Sequence, residues 1–361
     1  MADFTVVAEG VISREEERNC FMPVITPIGD GTTWLCCQHV GESLGANDSF
    51  VEVLRSTDSG LTWEHFGATG QGIGASAQDG WGYRGPQIHE LESGGRLMMK
   101  AGRFQNADQM FDPDTEVLAL SEIIVYFSDT GGATWEGPTP VPMPSELPSS
   151  RYTWNGAGKM MEIEGRWFMG FETWKPEGYE GDPDQKSGGV FSSDPTDPGS
   201  WTDMTVLADD SPQGKRKPPH RWHQGWERPY RLRAERLWWD AMHSKLPNGD
   251  VLAMFWTHLY GTSDDDVNHV ALSTSGGKEW TKPAPTNLQG QVCAPIPLAD
   301  GSLAAIYNFR KGPPEEHGVH VALCANDPSY QHFAVESELV LFDAGKEATL
   351  GDPDHENFLA E

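Results

Sequence analysis

The apolar positions of this chain come in short runs closed by turn residues. Phe50 to Leu54 (FVEVL), Glu122 to Phe127 (EIIVYF), Val267 to Leu272 (VNHVAL) and Val319 to Leu323 (VHVAL) are strand-length and rich in β-branched and aromatic side chains. The first run leads into Ser56 to Trp63, STDSGLTW, which returns as Ser128 to Trp135, SDTGGATW, and in weaker form as Ser273 to Trp280, STSGGKEW. Looser copies are Ser193 to Trp201, SDPTDPGSW, and Asn326 to Tyr330, NDPSY. In each, an Asp or Ser oxygen can bond backbone N–H groups, Gly accepts positive φ, and the residues up to the aromatic ring open the next strand. With Asp58, Asp129, Asp194, Ser275 and Asp327 as the equivalent positions, the intervals are 71, 65, 81 and 52 residues. Such a repeat is too long for most helical arrays and suits one four-stranded propeller blade.

A second pattern lies upstream of each copy: two apolar strands joined by a Gly-containing turn. The pairs are Cys20 to Ile25 with Thr33 to Gln38, Gly85 to Leu91 with Arg96 to Ala101, Tyr152 to Ile163 with Trp167 to Phe171, Trp238 to Leu246 with Val251 to Trp256, and Gln291 to Leu298 with Leu303 to Tyr307. Asp30-Gly31, Asn248-Gly249 and Asp300-Gly301 are strong hairpin signals. The reading is an all-β fold of four-stranded antiparallel blades starting near residues 20, 84, 151, 238 and 291. Residues 1–361 are taken as a single propeller domain. Phe4 to Ile12 (FTVVAEGVI) reads as a leading strand that can complete the last blade, and Asp352 to Glu361 as the start of a further one.

Composition narrows the class. Forty Gly, 26 Pro and 14 Trp fit a turn-rich β protein. A formal net charge of −28 disfavours nucleic acid, which demands a Lys/Arg surplus. Cys20, Cys36, Cys37, Cys293 and Cys324 are odd in number and lie on apolar runs, so buried thiols are expected rather than a disulfide framework. No basic-then-apolar leader and no apolar run of spanning length is visible, so no membrane association is expected. The location is cytoplasmic by default, or secreted if the chain is a processed form. Nothing in the sequence speaks to oligomeric state.

Blade topology then sorts the polar residues. Strand-one starts and strand-two ends share one face, and the Asp-containing turns fall on the other. The first face receives Arg84, Arg151, Asp240, His39, Arg103, His258 and Arg310, with Asn47 and Asp48 in the loop after blade one's second strand and Tyr307 near Arg310. Arg pairs bidentately with carboxylates, and a carboxyl beside a leaving oxygen can serve as general acid. The set points to an acidic oligosaccharide or polysaccharide; a solvated rim of ordinary surface residues is the competing reading. The long connection from Ala208 to Arg236 holds eight of the 26 Lys and Arg residues, together with Trp222, Trp226 and Tyr230. Its Arg228 and Trp222 are expected at the mouth of the site. Asp264-Asp265-Asp266 is a solvated acidic loop or, as the minority reading, a Ca²⁺ site; no other cofactor is expected.

The repeated turns resemble the Asp-boxes, or BNR repeats, of the sialidase superfamily, and with the strand pairs the resemblance covers most of the chain. It implies a six-bladed propeller, with the sixth blade incomplete, closed by the N-terminal strand, or lost with a C-terminally shortened chain. Asp48 stands where the family's acid/base Asp stands, and Asp240 resembles the Glu that partners the family's nucleophilic Tyr. Phe21-Met22-Pro23 replaces the family's opening Arg-Ile-Pro, and the Arg expected near Trp256 is absent. The resemblance therefore implies an exo-acting glycoside hydrolase that is a divergent member. A uronate lyase or a rhamnosidase using His39, His243, His258 or Tyr307, or a non-catalytic glycan-binding propeller, are the alternatives.

Overall fold

The computed structural model describes residues 4–13, 18–67, 73, 80–91, 95–106, 110–112, 115, 117–181, 184–209, 236–259, 266–309, 318–325, 330 and 333–343. Their strands form five blades. Blade one is β1 (Asn19–Ile28), β2 (Thr33–Gly41), β3 (Phe50–Ser56) and β4 (Glu64–His65). Blade two begins with β5 (Trp81–Glu90) and β6 (Leu97–Gln105); a small hairpin of β7 (Phe111–Asp112) and β8 (Val117–Leu118) follows before β9 (Ser121–Ser128) and β10 (Glu136–Pro140). Blade three is β11 (Thr153–Ile163), β12 (Arg166–Pro176), β13 (Lys186–Ser192) and β14 (Asp203–Asp209). Blade four is β15 (Arg236–Lys245), β16 (Val251–Leu259), β17 (His269–Ser273) and β18 (Ala284–Pro285). Blade five is β19 (Gln291–Pro297), β20 (Leu303–Phe309), β21 (Gly318–Cys324) and β22 (Val335–Asp343). The hairpin β7–β8 was not foreseen; it attaches to blade three by parallel pairing of β8 with the end of β12.

Two expectations are corrected. The described blades number five, not six. Phe4 to Ile12 form no strand: Val6, Val7 and Val11 are solvent-exposed and pair with no described ladder. The segment reaches blade one through Ser13, whose hydroxyl donates to Glu52 at 3.2 Å. Asp352 to Glu361 and the Asn326-Asp327 turn lie outside the described residues.

Blades hold together because a strand with both faces covered supplies two cores. Met169 and Phe171 of β12 join a cluster with Met98, Ile123 and Val125 of blade two, while Phe168 of the same strand joins one with Val251, Ala253 and Phe255 of blade four. Comparable clusters join blades one and two, and four and five. None of the five cysteines forms a disulfide; four are buried and Cys20 is half-buried.

The repeated turns show why their sequence recurs. The leading hydroxyl, Ser56, Ser128 or Ser273, accepts from the N–H of Gly60, Gly132 or Gly277, at 2.8 to 2.9 Å. The third residue accepts from the backbone N–H four residues on: Asp58 from Thr62, Thr130 from Thr134, Ser275 from Glu279. The two central residues both take positive φ, 60° and 87° in Ser59-Gly60 and 64° and 94° in Gly131-Gly132, as a tight turn matched to strand twist requires. Thr130, not Asp129, is thus the equivalent of Asp58; Asp129 instead faces Arg96 at 3.3 Å. In blade three the leading residue is Ser192, one earlier than the sequence alignment placed it, since Asp194 N–H donates to it at 2.9 Å. Gly29 and Asp30 of the β1–β2 turn line one cleft with Asp129 and Gly131, so both kinds of turn share one face.

Candidate active site

At the opposite end from the turns, each innermost strand carries a bulge. Register slips between Phe21 and Val24, Arg84 and Gln87, Ala157 and Met161, Trp239 and Met242, and Gln291 and Ala294. A residue in the left-handed region marks each: Met22 (φ 51°), Gly85 (56°), Gly158 (59°), Asp240 (47°) and Val292 (51°). A β-branched or charged residue seldom adopts that conformation, and strain of this kind clusters at functional sites. The bulges are neighbours around the axis. A Cβ on Gly85 would lie 3.7 Å from Met22 Sδ, and one on Gly158 would lie 2.5 Å from the Ala241 carbonyl.

A bulge frees backbone groups from the ladder, and buried ones need partners. Here titratable side chains from the second strand of the preceding blade supply them. His39 Nδ1 accepts from Gly85 N–H at 3.4 Å. Lys100 Nζ donates to the Gly158 carbonyl at 2.8 Å and the Ala157 carbonyl at 3.4 Å. Glu172 Oε2 accepts from Asp240 N–H at 2.9 Å, and its Oε1 accepts from the Trp174 indole at 3.2 Å.

These groups are perturbed in ways that burial explains. Burial, then the neighbouring Asp240, holds the Glu172 carboxyl well above the usual carboxylate range, against an opposing pull from Arg84. Burial lowers Lys100 to about 7, with Glu172 opposing. His39 falls to about 3 through burial and then Arg84, and His243 to about 3 through burial and then Lys100; burial pushes His89 down as well. All three imidazoles are therefore neutral in the folded state. The unfolded chain binds their protons below about pH 6.5, so their contribution is lost as pH falls from 6.5, at about 1.4 kcal/mol per unit for each. Glu172 acts in the opposite sense, but as one group against three. The melting temperature should fall steeply between pH 6.5 and pH 4.5, and His243→Gln should flatten the fall. A level melting temperature across that range would contradict neutral burial.

An aromatic cluster flanks the two carboxyls. Trp174, two residues past Glu172 on β12, meets Trp239 edge-on at 3.5 Å between centroids, and Phe111 approaches both at 5.3 and 6.0 Å. Trp256 stands 5.7 Å from Trp239, with His258 a further 5.9 Å on. Arg84 continues the arc toward blade one. Its guanidinium reaches Met110 Sδ at 3.9 Å and lines a recess with Asn47, Ser49 and Phe104.

The structure brings His39, Arg84 and Asp240 together, with Glu172 and Lys100, and sets His258 at the edge of the aromatic cluster. Asp48 borders the recess but is held by Arg18 at 2.7 Å. Arg103 pairs with Glu122 across β6 and β9 at 2.8 Å and stacks on Trp81. Arg151 pairs with Asp184 on an exposed loop. Tyr307 donates to Glu338 within blade five, where His320 also meets Glu338 at 3.0 Å; burial, then Glu338, raises its phenol above the usual range. Arg310, Trp222 and Arg228 lie outside the described residues, as do Asp264 and Asp265. Asp266 pairs with Arg236 at 2.7 Å, and among the described residues no cluster of three metal-ligating side chains occurs. Glu172, Lys100 and the aromatic cluster were missed. A signal existed: Phe171-Glu172-Thr173-Trp174 and Met99-Lys100-Ala101 each set one charge in an apolar strand.

No family model matches the chain, and no curated protein matches it. Solved structures do. A protein of unknown function from Dyadobacter fermentans aligns at a TM-score of 0.61 and 19% identity, covering 92% of this chain and 85% of that one. The NanB sialidase of Streptococcus pneumoniae aligns at 0.60 and 10% identity, covering 93% of this chain and 64% of that one. The Hadza microbial sialidase Hz136 aligns at 0.59 and 14% identity, covering 89% and 58%. The fold is that of a sialidase-like propeller. This propeller spans under two thirds of the length of either sialidase, and at these identities the likeness speaks to the fold alone.

Proposed function

We propose that this sialidase-like propeller is an exo-acting glycoside hydrolase that works on the end of an acidic glycan. The observation that carries the reading is the pair of carboxyls, Glu172 and Asp240, set at a strained bulge beside Arg84. Glycosidic cleavage needs one carboxyl able to give a proton to the leaving oxygen and a second to meet the charge that develops on the ring. Glu172, buried and held protonated, takes the first role. Asp240, half-buried on the innermost strand, takes the second. Arg84 offers a bidentate partner for an anionic substituent, and the adjacent His39, neutral, adds no competing charge.

The test is a screen of acidic oligosaccharides with two readouts. Release of a reducing end without an unsaturated product supports hydrolysis. Ultraviolet absorbance from an unsaturated uronate would identify a lyase instead, and binding on a glycan array with neither product would identify a non-catalytic module.

A further inference from the structure

Lys100 is the one Lys or Arg that is buried among the described residues, with only 1% of it exposed. Lysines are seldom buried unless paired. From β6 its side chain crosses to blade three where that blade has no side chain of its own: a Cβ on Gly156 would lie 3.2 Å from both Cε and Nζ. Nζ then ends on the Gly158 and Ala157 carbonyls of the β11 bulge. Asn155, next to Gly156, is the register partner of Glu172 on β12. The amine is thus set one residue along β11 from the rung that carries the proposed acid, and Glu172 acts on its charge. The other ionisable groups around it offer no anion. His89 of β5 and His243 of β15, which feel Lys100, are neutral, and Lys159 of β11, which also acts on His89, is of like sign. Neutral donors would tether the same carbonyls without the cost of burying an ionisable amine. A lysine here calls for a partner whose charge changes.

We infer that Lys100 is a positioning residue that acts through Glu172, its ammonium stabilising the carboxylate left when the Glu172 proton passes to the leaving oxygen. The proton moves to the glycosidic oxygen as the bond from that oxygen to the sugar carbon breaks, and Lys100 neither gains nor loses one. Glu172 then carries a full charge in a buried site, and Asp240 opposes that charge. Arg84 favours it, but in the hydrolase reading Arg84 is taken by the anion of the substrate. Lys100 supplies the further cation, and an opposite charge close by favours the ionised carboxyl. Its role in cleavage rests on the hydrolase reading; the tie between the two charges does not.

The experiment follows the charge of Lys100 by NMR in protein made with ¹³C at lysine Cε. Its signal is the one absent from Lys100→Met or, should that variant not fold, from Lys100→Gln. The signal should titrate near pH 7 in the parent, and at least about half a pH unit lower in Glu172→Gln, which lacks the carboxylate. A midpoint in the ordinary lysine range, or one that Glu172→Gln leaves in place, overturns the inference. On a glycan that the protein cleaves, Lys100→Met should hold KM within about two-fold and lower kcat about three- to ten-fold at pH 6, where the parent amine is charged. It should also move the alkaline limb of the kcat profile up by about half a pH unit or more, because Glu172 then keeps its proton more tightly. A lower kcat with the limb unmoved is the result of a purely structural tether and overturns the role in cleavage. Linked titration in a protein that hydrolyses nothing keeps the tie and removes the hydrolase. Hydrolysis with unlinked titration does the reverse.

Discussion

Replacing Glu172 by Gln should lower kcat/KM on a natural acidic glycoside by about 10²- to 10⁴-fold, the range expected for loss of a positioned general acid. The substitution is conservative where the fold depends on it. The Gln carbonyl can still accept from Asp240 N–H, as Glu172 Oε2 does at 2.9 Å, and only the bond that Oε1 accepts from the Trp174 indole is lost with the amide nitrogen. What disappears is the transferable proton. With an activated leaving group that departs without one, the loss should shrink to less than about ten-fold. Asp240→Asn should fail on both substrates, because its role does not depend on the leaving group. Stability adds a second check. A carboxyl whose folded value is raised contributes stability below its unfolded value, and that contribution is lost as pH rises through the folded value. The Gln variant should therefore lack the decline that Glu172 gives the parent as pH rises from about 4.5 to about 8. Equal loss on activated and natural substrates would make Glu172 a structural partner of the Asp240 bulge and nothing more.

Gly158→Ala should be among the most damaging small substitutions in the described chain. Its φ of 59° lies in the left-handed region, and an added Cβ would strike the His243 ring and the Ala241 carbonyl. Strain of about 1–2 kcal/mol and crowding of about 1–3 kcal/mol act together, because neither a buried ring nor an adjacent bulge can retreat. At an unfolding entropy of about 2.1 cal/mol/K per residue, a 361-residue domain shifts by roughly 1.3 °C per kcal/mol, so the melting temperature should drop by about 3–7 °C. Gly165→Ala separates the two effects. Its φ is 76°, yet a Cβ there meets nothing within 4 Å, so it should show strain without crowding. Because Ala241 adjoins Asp240, Gly158→Ala should also lose activity well below its melting point. If both variants melt alike, the bulge ring is looser than its contacts imply.

The blade was legible in the sequence because its punctuation is local. A Ser or Thr hydroxyl, an Asp carboxylate and a Gly that takes positive φ act within five residues, so the turn at Ser56 to Trp63 needs nothing distant to form. Strand runs on either side follow from the same short range, and the pairing of consecutive strands follows from the turns. The alignment of copies failed by one residue in blade two, where Thr130 takes the place given to Asp129, since either side chain can bond a backbone N–H. The site was legible only as a face. Topology could set Arg84, Arg103, Arg151 and Asp240 at one end, but partners across the blades decided their fates. Glu122 claims Arg103, and Asp184, 33 residues along the chain, claims Arg151. Glu172 meets Asp240 from 68 residues away. The bulge that joins them exists only where an innermost strand slips against its neighbour, and the charge each buried group keeps depends on which side chains exclude water from it. Local turn chemistry therefore determined the repeating unit, and long-range packing alone decided which of its polar residues share a site, because desolvation and register belong to pairs of strands and not to any one of them.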